Sequence, residues 1–167
     1  MIRLACPADL PLLPAIEASA ATLFAGTAMA NTVGGPTTPA DALATGLRSG
    51  SLWIADEDGP CGFLLAAVAQ GWLHILELSV AGPAQRQGQG RALLHAAIAA
   101  APVLGCHQLS LTTDRLLPWN APFYARHGFS EVLPSHPGLP DWLAALPQRE
   151  AASGLDPARR CIMMRPA

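Results

Sequence analysis

Lysine is absent from this 167-residue chain, and all ten of its basic residues are arginine. A P-loop, which needs a Lys before its Ser or Thr, is therefore excluded, and the net charge of −2 argues against a nucleic-acid partner. Charged residues make up only 13% and aromatics 5%, with a single tyrosine, Tyr124. Half of the chain is apolar, which excludes long disorder. The four cysteines (Cys6, Cys61, Cys106, Cys161) form no CxxC or Cys/His pair at metal-ligand spacing, so no metal site or disulfide framework is expected and each reads as a reduced core thiol. No apolar run reaches the ~18 to 20 residues of a membrane span and no leader pattern opens the chain. The expectation is a soluble, cytoplasmic protein, and the alanine and arginine bias suggests a GC-rich, bacterial genome.

What is present reads as one domain over residues 1–167. Met1–Ala5 is a short strand candidate, followed by a helix to about Phe24 with Leu10, Leu13, Ile16 and Glu17 at helical spacing. Gly26–Pro39 is an aperiodic loop rich in Gly, Thr and Pro. Thr38 as N-cap and Pro39 at the first position predict a helix ending near Gly50. Strands are expected at Ser51–Asp56, Cys61–Ala69 and Trp72–Val80, separated by turns at Asp58-Gly59-Pro60 and Gln70-Gly71. Then come a glycine-bearing loop, a helix at Arg91–Ala101, a strand at Cys106–Thr112, a short helix at Leu117–His127, a strand at Phe129–Leu133, a proline-rich segment with a helix at Asp141–Ala152, and a last strand at Arg160–Arg165. This succession predicts an α+β domain with a mostly antiparallel mixed sheet interrupted by helices.

The loop Val80-Ala-Gly-Pro-Ala-Gln85-Arg86-Gln87-Gly88-Gln89-Gly90-Arg91 lies where a strand ends and a helix begins. Glycines clear side-chain bulk, successive amides point into the turn, and the helix N-terminus adds partial positive charge, which together suit a pyrophosphate. Arg86 and Arg91 flank it and offer bidentate hydrogen bonds. A dinucleotide fingerprint is excluded because Leu93 stands where its third glycine belongs and the preceding strands read as a meander.

The pattern Gln85, Gly88, Gly90, with Val80 five positions ahead of the Gln, resembles the acyl-CoA loop of the GNAT superfamily of acetyltransferases. The family's proline lies one position earlier than Pro83, where this chain has Gly82. About thirty residues on, Asn120-Ala-Pro-Phe123-Tyr124-Ala-Arg126-His127-Gly128-Phe129 resembles the family segment in which an Asn opens a short helix and a Phe-Tyr pair precedes Gly-Phe. The resemblance implies a GNAT fold and acetyl-CoA as co-substrate. It implies pantetheine contacts from Asn120 and Phe123, a phosphate contact from Arg126, and backbone donors in Leu78, Ser79 and Val80, with Gln85, Arg86, Gln87, Gly88, Gln89, Gly90 and Arg91 around the phosphates. A homodimer follows from family habit only.

An amine that attacks a thioester must lose a proton, and the departing thiolate gains one. A phenol with an ordinary pKa of ~10 keeps its proton at neutral pH and can supply it; by resemblance Tyr124 is that acid. For the base, Glu77 among Ile75, Leu76 and Leu78, His74 on the opposite face by simple alternation, and water all stand open, because strand facing depends on a bulge that sequence does not place. Asp114, Arg115 and Trp119 read as a loop cap and a packed indole more readily than as pocket lining; His95, His107 and His136 read as ordinary helix, strand-edge and loop residues. The function expected is transfer of an acetyl group from acetyl-CoA to a primary amine of a small molecule or an exposed amino group, in a ternary complex. The Gly26–Pro39 loop and the Pro134–Ala158 segment are expected to shape the acceptor pocket. The alternative is a non-catalytic acyl-CoA-binding sensor of the same fold, which would need neither Tyr124 nor Glu77.

Overall fold

The apolar runs either side of Gln70-Gly71 fold back on one another because both turn residues take positive φ, +52° and +79°, the geometry of a two-residue turn whose twist matches its strands. In the computed structural model, which describes residues 1–167, β2 (Leu52–Asp56), β3 (Pro60–Ala69) and β4 (Trp72–Val80) form the expected meander. With β1 (Ile2–Leu4), β5 (Gln108–Asp114), β6 (Ser130–Val132) and β7 (Arg160–Pro166) they make a seven-stranded sheet in the order β1-β2-β3-β4-β5-β7-β6. Every pairing is antiparallel except β4 with β5.

Helices cover both faces. One face carries α3 (Gln89–Ala100), whose Leu93, Leu94 and Ala97 recur at helical spacing and pack with Leu64, Leu73, Ile75, Leu109 and Leu111 in the larger core. Each fully buried leucine there contributes about 2 kcal/mol. The short α4 (Ala121–Ala125) joins this face through Ala121, Phe123 and Tyr124. On the other face α1 (Leu13–Ala21) and α2 (Ala40–Ser49) bury Leu13, Ile16 and Leu43 against Leu52, Ile54, Phe63 and Leu65. Gly50 ends α2 in the left-handed conformation, as its position past the helix suggests.

Local chemistry moves several boundaries. The cap of α2 is Pro39 rather than Thr38, whose amide instead donates to Glu17 at 2.9 Å. The helix expected at Leu117–His127 is regular only over Ala121–Ala125, because buried Asp114 holds the preceding turn by accepting from the amides of Leu116 and Leu117. The helix expected at Asp141–Ala152 divides into α5 (Asp141–Ala144) and α6 (Leu146–Ala151), with Pro147 opening the second. Of the four free cysteines, Cys6 is exposed rather than in the core, while Cys106 and Cys161 are buried. No helix is long and apolar enough to cross a membrane.

Two features of β4 place the site. It pairs with β5 only over Trp72–His74, so the strands part beyond that point and leave a gap in the sheet. Its register with β3 shifts between Leu65 and Ala66, which face Glu77 and Ile75, leaving Leu76 as a bulged residue half exposed to solvent.

Candidate active site

Without the bulge, Glu77 would share the face of Leu73 and Ile75 and be driven into the apolar core under α3. The extra residue turns it to the α1 face, opposite Leu65, while Leu78 and Val80 take over packing on the α3 side. Tyr124 approaches the same gap from the α3 side, on α4. Both line one cavity of about 650 Å³, within the range of small-molecule sites.

One end of this cavity is the loop before α3. Arg86 and Gly88 both adopt positive φ, +63° and +86°, and the amides of Arg86 through Arg91 donate to no acceptor within the chain. Arg86, Arg91 and Arg126 supply the arginine side chains that line the cavity. Free amides at a helix N-terminus beside three guanidinium groups fit a pyrophosphate. The side chains divide the work differently from the expectation. Gln85 donates to Val80 O at 2.9 Å and so braces the loop. Gln87 is exposed and bonds to Pro83 O, and Gln89 is buried against the Glu57 carboxylate, so both glutamine side chains turn away from the main cavity. Gly82, at the position of the family's proline, uses its amide to bond Ser19 Oγ at 3.0 Å and ties the loop to α1, which proline would forbid.

Along β4, Ala81 donates to Cys61 O at 2.9 Å. The alternation of an antiparallel ladder then makes Phe63/Ser79 and Leu65/Glu77 the hydrogen-bonded pairs, and turns the amides of Leu78 and Val80 toward the gap. The Ser79 amide thus belongs to the sheet; its buried side chain contributes instead, donating its hydroxyl to Glu77 Oε1 at 2.6 Å. Burial pushes the Glu77 carboxyl up to about 7, the nearby charge of Glu17 adds to this, and the Ser79 hydroxyl and Leu78 amide oppose it.

The Tyr124 hydroxyl has no hydrogen-bond partner in the chain, whereas its ring is wedged edge-on against Phe123 and Phe129. Burial raises its pKa well above the ordinary phenol value, and the negative charge of Glu77 raises it further. Asn120 opens α4, its carbonyl accepting the amides of Phe123 and Tyr124, and its side chain reaches Met29 of the Gly26–Pro39 loop.

The other candidates separate cleanly. His74 is buried outside the cavity, bonded to Ser110 Oγ at 2.9 Å and edge-on to Trp142, and burial lowers it to about 4. Asp114 is a loop cap gripped by Arg159 at 2.7 Å, and Arg115 pairs with Glu131. Trp119, read as a packed indole, is instead 37% exposed and lines the cavity. His136 is exposed and does not line it, and His107 packs against Gly71. His95 bonds His127 at 3.1 Å on the outside of α3.

The Pro134–Ala158 segment, expected to shape the acceptor pocket, contributes no lining residue. Its helices cover Trp72 and Ile162 on the far half of the sheet, and Asn31 of the pocket loop donates to its Gly154 O at 3.4 Å. The wall that sequence reasoning missed is α1: Glu17, Ala18, Ala20 and Ala21 face the cavity, continued by Leu23 and Phe24. The helical register of α1 gave a signal, since Glu17 follows the buried Ile16 directly.

Residues 48–131 match the acetyltransferase (GNAT) domain family, and the chain belongs to that family. Solved structures share the fold at low identity. N-acetylglutamate synthase from Neisseria gonorrhoeae, complexed with coenzyme A and N-acetyl-glutamate, is 19% identical with a TM-score of 0.72, over 99% of this chain and 34% of that one. This chain thus spans about a third of the synthase's length. PaiA N-acetyltransferase from Thermoplasma acidophilum, in complex with coenzyme A, is 17% identical (TM-score 0.69; 100% of this chain, 98% of that one). Ribosomal-protein-alanine N-acetyltransferase from Brucella melitensis is 20% identical (TM-score 0.68; 100% and 99%).

Proposed function

We propose that this protein transfers the acetyl group of acetyl-CoA to a primary amine, with Glu77 as general base and Tyr124 as general acid. The observation that carries the reading is the meeting of these two side chains in one cavity whose other end is the amide-lined turn before α3. The free amides of Arg86–Arg91 with Arg86, Arg91 and Arg126 would hold the pyrophosphate, as the coenzyme A complexes of related folds lead one to expect. Asn120 and Phe123 border the path toward β4, where the Leu78 and Val80 amides would polarise the thioester carbonyl.

The amine nitrogen then attacks the carbonyl carbon, its proton passing to Glu77 directly or through water, and the C–S bond breaks as the thiolate takes the Tyr124 proton. The two residues are coupled. A carboxyl near 7 is an effective acceptor at neutral pH. Once it is protonated, the negative charge that holds the phenol proton in place is gone, so Tyr124 becomes a better donor as the thiolate forms.

Thermal-shift titration with acetyl-CoA and thiol release with a panel of primary amines test this reading. Stabilisation by acetyl-CoA together with amine-dependent thiol release supports it. Stabilisation with no thiol release for any amine contradicts the enzyme and favours a binding module.

A further inference from the structure

The charges around the cavity are segregated. Its three arginines come from the turn before α3 (Arg86), the first turn of α3 (Arg91) and the C-terminal cap of α4 (Arg126), whereas the opposite part carries two carboxylates, Glu17 and Glu77. Glu17 accepts the Thr38 amide, and Glu77 accepts the Ser79 hydroxyl with the Leu78 amide beside it; neither carboxylate forms an ion pair within the chain. No arginine or histidine acts on the Glu77 carboxylate, only the like charge of Glu17. The one cation that acts on Tyr124, Arg160, is held by Glu150 at 2.8 and 3.0 Å. The wall beside the acidic pair is apolar: Ala20, Ala21, Leu23, Phe24, Met29 and Trp119.

The geometry points to an acceptor class: primary amines with an apolar body and no carboxylate on the amine-bearing carbon. This deepens the acetyltransferase reading and rests on it. An ammonium group finds two carboxylates with no cation paired to either, and an alkyl or aromatic body finds apolar walls. The carboxylate of a free amino acid would lie within a few ångströms of the reacting nitrogen, beside Glu17 and Glu77 and with no arginine to receive it, so both repulsion and desolvation oppose it.

The test is a matched set under saturating acetyl-CoA: 2-phenylethylamine, L-phenylalaninamide and L-phenylalanine, read as kcat/KM by thiol release. The first two share the neutral amine-bearing carbon but differ in source, free amine or peptide-like N-terminus, and their ratio tells which is preferred. Either or both should exceed L-phenylalanine by roughly 100-fold. Glu17→Gln, which keeps an oxygen for Thr38 but loses the charge, should raise KM for the better amine about tenfold while narrowing its lead over L-phenylalanine. L-Phenylalanine turned over as fast as both of the others would overturn the inference and leave the acetyltransferase reading standing. Acetyl-CoA binding with none of the three acetylated, nor any amine of a wider panel, would overturn that reading and the inference with it.

Discussion

Ser79 donates its hydroxyl to Glu77 Oε1 at 2.6 Å from two positions along β4. The serine favours the ionised carboxylate against the burial that raises it. The pair reaches the cavity because the bulge at Leu76 turns their shared face toward α1.

Ser79→Ala should therefore push the Glu77 pKa further up. A hydrogen bond to a charged group contributes about 1.5 kcal/mol, so the ascending limb of the kcat/KM profile should move by about one pH unit. Activity at pH 6.5 should fall several-fold while that at pH 9 is nearly unchanged. Profiles from pH 5.5 to 9.5 check this.

Glu77 also makes stability depend on pH. Its carboxyl titrates at the ordinary 4.5 when unfolded and at about 7 when folded, so the unfolded state loses its proton first. Folding is unpenalised below 4.5, increasingly penalised up to 7, and penalised by up to about 3 kcal/mol above it. Glu77→Gln should accordingly melt higher than the parent at pH 8 and close to it at pH 5. Melting curves at the two pH values give the comparison, with turnover expected to fall about a hundredfold or more.

His74 carries the opposite sign. Burial lowers it from 6.5 to about 4, so the unfolded chain takes up a proton before the folded one does. Its contribution is fully present above 6.5 and is lost as pH falls toward 4, by up to about 3 kcal/mol. His74→Gln should flatten this part of the denaturant-midpoint profile, measured from pH 4 to 7. Because His74 lies outside the cavity, kcat of the folded variant at pH 7.5 should stay within about twofold of the parent.

Ser19 is far in sequence from the turn before α3 yet bonds its Gly82 amide. Ser19→Ala removes that bond, of about 1 kcal/mol, and loosens the turn from α1. Steady-state kinetics should show KM for acetyl-CoA rising about fivefold with little change in kcat.

The meander, the turn before α3 and the Asn120–Phe129 segment were legible because each depends on neighbouring residues: two-residue turns at Gln70-Gly71, a glycine with positive φ at 88, a helix-opening Asn120. The placement of Glu77 in the cavity and of His74 outside it was not. Simple alternation sets Glu77 with Leu73 and Ile75, and only the long-range register against Leu65 and Ala66 reverses it. Similarly, nothing local told that Pro134–Ala158 covers Trp72 rather than the cavity, or that Gln89 points toward Glu57. Those placements depend on how distant elements pack.

In the mechanism proposed, Tyr124, which lines the cavity and whose hydroxyl has no partner in the chain, protonates the leaving thiolate. Tyr124→Phe keeps the ring packing on Phe123 and Phe129 and removes only the proton. Single-turnover acetyl transfer at saturating amine, with the dissociation constant for acetyl-CoA measured in parallel, separates chemistry from binding. The rate should fall about 100-fold or more with the dissociation constant changed less than about twofold; an undiminished rate would rule out Tyr124 as the acid.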